Sequence, residues 1–251
     1  MGPTLKSLLR SCLPHAIQPQ RILAGPLRGH WIVTSWHDYP AAITGRTESS
    51  LLRWFAENVK LGETWLDVGA HYGYTAIALC RLVGPSGRVF AVEPMVSTAG
   101  YMTQMRHLNR FSQLVVLPLA LGDVNRLEIS QLPATRGMVD STITEQAQGE
   151  TILVAQADWL WSRICGRSEH IHGVKIDVQG MELSVLRGMW GLIRKFRPQL
   201  VVELHQGVDR KEFLDLIESL GYSRTGIPVE PAADEIEPRY FNDHSYAFRP
   251  G

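Results

Sequence analysis

From Thr64 onward the chain alternates continuous apolar runs with amphipathic stretches, and that alternation leaves few folds open. The runs are Thr64–Val68, Arg88–Glu93, Leu114–Leu119, His172–Asp177 and Gln199–Leu204. They are apolar along most of their length rather than at every second residue, as strands buried on both faces are. Helix-like segments follow four of them: Tyr74–Leu82, Ser97–Asn109, Met181–Phe196 and Asp209–Leu220. In the third, Leu183, Leu186, Trp190 and Ile193 recur at helical spacing. Gly221 stands just past the fourth, where a helix ends in a left-handed turn. Strands alternating with helices predict an α/β fold with a mostly parallel, doubly wound sheet.

Around this frame the pattern loosens. Arg126–Ser130 and Thr151–Ala155 read as an added hairpin with a polar loop between them. Tyr222–Ile227 and Ser245–Arg249 read as a terminal antiparallel pair, joined by a solvent loop over 228–243. Residues 1–60 differ in character, with a strand-like His30–Ser35 and a helix-like Glu48–Val59. They read as a small β/α lead-in that acts as a lid on a main domain over 61–251.

Composition narrows the partners. Lys+Arg and Asp+Glu both number 25 in 251 residues, so the chain lacks the basic excess of a phosphate-gripping nucleic-acid binder. Three scattered cysteines, Cys12, Cys80 and Cys165, build neither a disulfide framework nor a zinc ribbon. No apolar run approaches the ~20 residues of a membrane span, and Arg10 and Pro14 interrupt the first segment as a signal peptide. The expectation is a cytoplasmic protein with a small-molecule partner, no nucleic acid and no membrane span; a homo-oligomer stays open.

The most informative segment is Asp67-Val68-Gly69-Ala70-His71-Tyr72-Gly73, where an apolar strand gives way to a helix. Glycines there let the backbone turn tightly against a ligand that a Cβ would exclude. The spacing D-x-G-x-x-x-G, with Tyr74 where a dinucleotide fingerprint has its third glycine, favours a nucleoside ligand without a pyrophosphate. Glu93, 20 positions beyond Gly73, closes the second strand, where an acid accepts hydrogen bonds from a ribose diol. Pro94 behind it fixes the turn.

Two further strand ends carry charge. Lys175 and Asp177 share a face, and so do Glu203 and His205. A buried charged pair needs partners, and Glu203 is one candidate for Lys175. Asp177 lies at the carboxyl end of its strand, where open α/β sheets place ligands. His205 is the side chain suited to take a proton near neutral pH. Glu182 falls in the first turn of the next helix, where the dipole favours a carboxylate.

Taken with TWLDVGAHYGYTAIAL, VFAVEP, LALGD, GVKIDVQGMELSVLRGM and RPQLVVELH, this pattern resembles the FkbM family of S-adenosylmethionine-dependent methyltransferases over about residues 43–205. The resemblance implies a Rossmann-like class I methyltransferase domain, with S-adenosylmethionine as donor and a hydroxyl on a small metabolite (a sugar, a polyketide or similar) as acceptor. It implies that Asp67, Gly69, Ala70, His71, Gly73, Glu93, Pro94 and Asp177 line the cofactor site, with Asp123 of LALGD near the adenine. His205, Asp177 and Glu203 then form the catalytic set, without a metal. Two positions depart from the family's usual residues: His71 replaces Asn, and Gln179 replaces Glu. The rival readings are a metal-dependent O-methyltransferase, a nicotinamide oxidoreductase and a non-catalytic binding module. Secondary metabolism is the expected setting.

Overall fold

In the computed structural model, the described residues are 13–135, 138–139, 149–165, 169–231, 235 and 237–251. Cys12, part of the polar loop between the hairpin strands and part of the 228–243 loop lie outside them. The strands are β1 (Gln18–Arg21), β2 (Trp31–Thr34), β3 (Thr64–Val68), β4 (Arg88–Val92), β5 (Leu114–Leu117), β6 (Ala120–Leu121), β7 (Leu127–Thr135), β8 (Met138–Val139), β9 (Gly149–Ala155), β10 (Gly173–Ile176), β11 (Gln199–Leu204), β12 (Ile227–Pro228) and β13 (His244–Phe248). The helices are α1 (Pro40–Thr44), α2 (Ser49–Asn58), α3 (Tyr74–Val83), α4 (Val96–Asn109), α5 (Ala157–Ile164), α6 (Glu182–Gly188), α7 (Trp190–Phe196) and α8 (Arg210–Ser219).

The central sheet runs β12–β13–β11–β10–β3–β4–β5. Five of its strands are parallel, and β13 lies antiparallel between β11 and β12. Counted within the sheet, the order from β5 is 3-2-1-4-5-7-6, a doubly wound nucleotide-binding order with one antiparallel strand inserted. The direction of winding reverses between β3 and β10. Open α/β sheets hold ligands at such a switch point, outside the carboxyl ends of the strands.

Each face of the sheet carries its own core, because successive side chains of a strand point to opposite faces. Trp65 of β3 packs edge-on against Trp54 and Phe55 of α2, while its neighbours Leu66 and Val68 join Phe90, Ile176 and Val202 in the opposite core. That two-sided burial is why the runs are apolar throughout. The expected hairpin is present as β7 and β9, paired from Leu127↔Ala155 to Pro133↔Gly149, with β6 parallel to β9.

Several details depart from the pattern-based expectation. Met181–Phe196 is two helices rather than one, and the break falls at Met189, just after Gly188 packs against the Gly122 carbonyl. The lead-in holds an additional hairpin, β1–β2, tied to α4 by Asn109: its side chain accepts from Trp31 N at 2.8 Å and donates to Trp31 O at 2.7 Å. No helix among the described residues is long and apolar enough to cross a membrane.

Candidate active site

A cavity of about 510 Å³ opens at the switch point. That size suits a small-molecule ligand. Its floor is the turns after β3 and β10 with the end of β4. Its sides come from Asp38–Ala41 and Glu48 of the lead-in and from Ser130, Ile152 and Val154 of the β7–β9 hairpin.

The turn after β3 is backbone-built. Gly69 has φ +80, and a Cβ there would stand 1.8 Å from the Asp177 carbonyl oxygen, so no larger residue fits. His71 adopts φ 50, in the left-handed region where histidine and asparagine are found more often than most residues. Its backbone N–H donates to Glu93 Oε2 at 2.9 Å, and Met95 N–H donates to Glu93 Oε1 at 3.0 Å. Burial pushes the Glu93 carboxyl up to about 7, with the two N–H donors working against it. The His71 ring packs against Tyr72 and Tyr39 and is driven by burial down to about 4. It is neutral, and its shielded Nε2 has no hydrogen-bond partner.

Not every expected residue of this turn reaches the cavity. Gly69, His71, Glu93, Pro94 and Asp177 line it. Ala70 is buried beneath it. Gly73, at φ +84, makes room for Met102 and Met105 of α4, so its role is packing. Asp67 is wholly buried, accepting from Thr75 Oγ1 at 2.6 Å and standing 3.3 Å from Lys175 Nζ. Asp123 is exposed, with its backbone N–H bonded to Ser184 Oγ, and it is not on the cavity wall.

The ends of β10 and β11 are charge-built. Lys175 sits between Asp177 at 3.1 Å and Asp67 at 3.3 Å, and donates to the Gly69 carbonyl at 3.2 Å. Burial opposes its charge, but Asp177 and Asp67 outweigh it and hold the ammonium well above its usual range. Glu203 is not its partner, contrary to the pairing read from sequence. The register sets Lys175 opposite Asp67 and Val201, and Glu203 lies two residues farther along β11. Glu203 instead stands 3.4 Å from His205 Nε2, and Asp177 stands 3.5 Å from the same atom. His205 Nδ1 meets Glu182 Oε1 at 2.6 Å, and the Gln179 amide lies 2.9 Å from Nε2. Burial acts against the charged ring, but Glu182 first and then Glu203 and Asp177 overcome it, pushing His205 up to about 10. Both ring nitrogens are engaged and His205 is not on the wall. Its geometry suits bracing Asp177 and Glu203 better than taking a proton directly.

Glu48 was not singled out from the sequence. It lines the cavity from the start of α2 at φ 53, and burial pushes its carboxyl up to about 7 against the attraction of Lys175. A positive φ is invisible in sequence unless glycine or asparagine marks it. Asp177, Glu203 and His205 offer metal-ligand atoms all within 4.8 Å of one another.

The sheet order, the glycine turn at the switch point and the acid ending the next strand define a class I methyltransferase fold. The sequence model of the FkbM methyltransferase domain matches residues 67–224, and the chain belongs to that family of S-adenosylmethionine-dependent enzymes. The hexuronic acid methyltransferase AglP of Haloferax volcanii is 27% identical over 201 residues, covering 79% of each chain. Among solved structures, the fibrillarin of Aeropyrum pernix with natively bound S-adenosyl-L-methionine superposes with a TM-score of 0.51 at 14% identity, over 92% of this chain and 87% of its own. The FkbM methyltransferase of Methylobacillus flagellatus gives 0.50 at 16% identity over 83% of this chain. This chain spans about half of that protein, 52% of its length.

Proposed function

We propose that the chain binds S-adenosylmethionine in the switch-point cavity and methylates a hydroxyl of a small metabolite. The observation that carries this reading is the wall of the cavity at the switch point, where the Gly69 turn, Glu93 and the unpartnered His71 Nε2 stand side by side. Glu93 would receive the ribose diol through the lone pairs left free by His71 N–H and Met95 N–H. His71 Nε2 would meet a polar atom of the same ligand. The apolar wall of Val92, Pro94, Leu121 and Val154 suits the adenine.

Bound there, S-adenosylmethionine supplies an electrophilic methyl group on a sulfonium. The chain's own work is alignment, exclusion of water and proton handling. Holding an acceptor oxygen ~3 Å from its target contributes several kcal/mol through proximity alone. Asp177 and Glu203 reach the wall and would hold the acceptor, with His205 fixing both. Glu48, whose carboxyl lines the same cavity within the field of Lys175, Glu203 and Asp177, would take the hydroxyl proton. Of the lead-in, residues 13–60 would close over the cavity through Asp38–Ala41, and the β7–β9 hairpin would exclude water from the other side.

The AglP relative makes sugar acids and neutral sugars the first acceptors to try. The test is transfer of labelled methyl from S-adenosylmethionine to a panel of both. Transfer to a hydroxyl supports the reading. Transfer to a carboxyl alone would replace the acceptor group, and binding of a nicotinamide dinucleotide in preference to S-adenosylhomocysteine would end the methyl-donor assignment.

A further inference from the structure

We propose that the ends of β10 and β11 form a divalent-cation site, with Asp177, Glu203 and His205 Nε2 as protein ligands and an open side on the cavity. The spacing is the first reason. His205 Nε2 stands 3.5 Å from Asp177 Oδ1 and 3.4 Å from Glu203 Oε1, and the Gln179 amide 2.9 Å from the same atom would turn aside as an ion enters. Charge-assisted hydrogen bonds close to about 2.7–2.9 Å. Two donors on one ion at bond lengths of about 2.1 Å stand about 3.0–3.4 Å apart at octahedral or tetrahedral angles. The gap is wide for a hydrogen bond and close to the spacing around a shared cation.

The second reason lies behind the imidazole. Glu182, with none of its surface exposed, bonds Nδ1 at 2.6 Å and so turns Nε2 toward the two carboxylates. A carboxylate behind the distal nitrogen is the usual support of a metal-bound histidine.

The third reason is the charge of the cavity around the cluster. The cavity wall carries Asp38, Glu48, Glu93, Asp177 and Glu203 but neither lysine nor arginine, which leaves room for a cation beside the sulfonium donor.

Two carboxylates suit a hard cation and one imidazole a transition metal, so with no thiolate the set fits Mn²⁺ better than Mg²⁺. The open side faces the acceptor end, so the ion would take an acceptor presenting two oxygens, such as a vicinal diol or a hydroxy acid. It would also let an acidic cavity receive an anionic sugar. This deepens the acceptor half of the proposed function, but the cation site is testable without it.

The experiment is titration of the chelator-stripped full chain with Mn²⁺, read by electron paramagnetic resonance and calorimetry. One Mn²⁺ per chain is expected, displaced by Mg²⁺. Binding should weaken at least tenfold in Asp177→Asn and in Glu203→Gln, and about 10- to 100-fold in Glu182→Gln. Glu57→Gln, an exposed control on α2, should bind as the parent does. If Asp177→Asn unfolds because it disturbs Lys175, Glu203→Gln carries the test, since Glu203 has no ion pair with that lysine. The absence of saturable binding at millimolar Mn²⁺, or equal affinity in the parent and Glu203→Gln, would overturn the site. S-adenosylhomocysteine binding measured on the same samples separates the failures: its retention without a Mn²⁺ site defeats the cation proposal alone.

Discussion

The two turns that flank the switch point do neighbouring jobs with opposite materials. After β3, Gly69 and His71 shape the cavity with backbone, one neutral imidazole and, from the end of β4, one carboxylate fed by two N–H groups. After β10, Asp177 to Gly180 stand among Lys175, Glu182, Glu203 and His205, where nearly every contact is between charges. Each turn also holds a non-glycine residue at positive φ, His71 at 50 and Gln179 at 54. A backbone-built turn depends on the absence of atoms, and a charge-built one on their balance. The two should therefore break in different ways.

The largest effect should come from the charged side. Lys175→Met leaves Asp67 and Asp177 without their shared cation, and losing one partner of a buried ion pair costs about 3–5 kcal/mol. Urea unfolding measures it, and adding Asp67→Asn should recover part of the loss. Next comes the backbone side. Gly69→Ala puts a methyl group into the Asp177 carbonyl at a positive φ, which strain and overpacking together set at about 3 kcal/mol. It should also abolish S-adenosylhomocysteine binding, whereas Lys175→Met should weaken binding only as far as it disturbs the fold.

A smaller effect sharpens the comparison through pH. Glu93 rises from 4.5 to about 7 on folding, so between those values the native chain holds the extra proton and its stability falls as pH increases. Ligand binding should run the other way, strengthening as pH passes 7 and Glu93 becomes a full acceptor. Glu93→Gln should flatten both profiles and weaken S-adenosylhomocysteine by about 10- to 100-fold, the worth of hydrogen bonds to a charged group. Calorimetry across pH 5.5 to 8.5 reads both. The smallest effect should be Ile129→Thr on the outer face of the hairpin, where the side chain is 74% exposed; stability should move by less than about 0.5 kcal/mol.

The same contrast explains what was legible in the sequence. Thr64–Val68 and Gln199–Leu204 were read to the residue because burial on both faces writes an unbroken apolar run. The glycine turn and Glu93 were legible because a local motif follows a strand. Gln18–Arg21 escaped notice, being polar and mostly exposed, and α5 was too short to show a period. The charged half was only partly legible. Lys175, Asp177, Glu203 and His205 could be named, but their pairing follows from strand register, which set Lys175 against Asp67 rather than Glu203. Glu48 reaches the cavity from a segment ahead of the glycine turn, and nothing in its neighbourhood marks it.

A crystal structure of the chain with S-adenosylhomocysteine tests the central claim most directly. The account predicts both ribose hydroxyls on the Glu93 carboxylate, the amino-acid portion against the Gly69 turn and the sulfur facing Asp177. Density for the nucleoside away from Glu93 and out of contact with the Gly69 turn would contradict it.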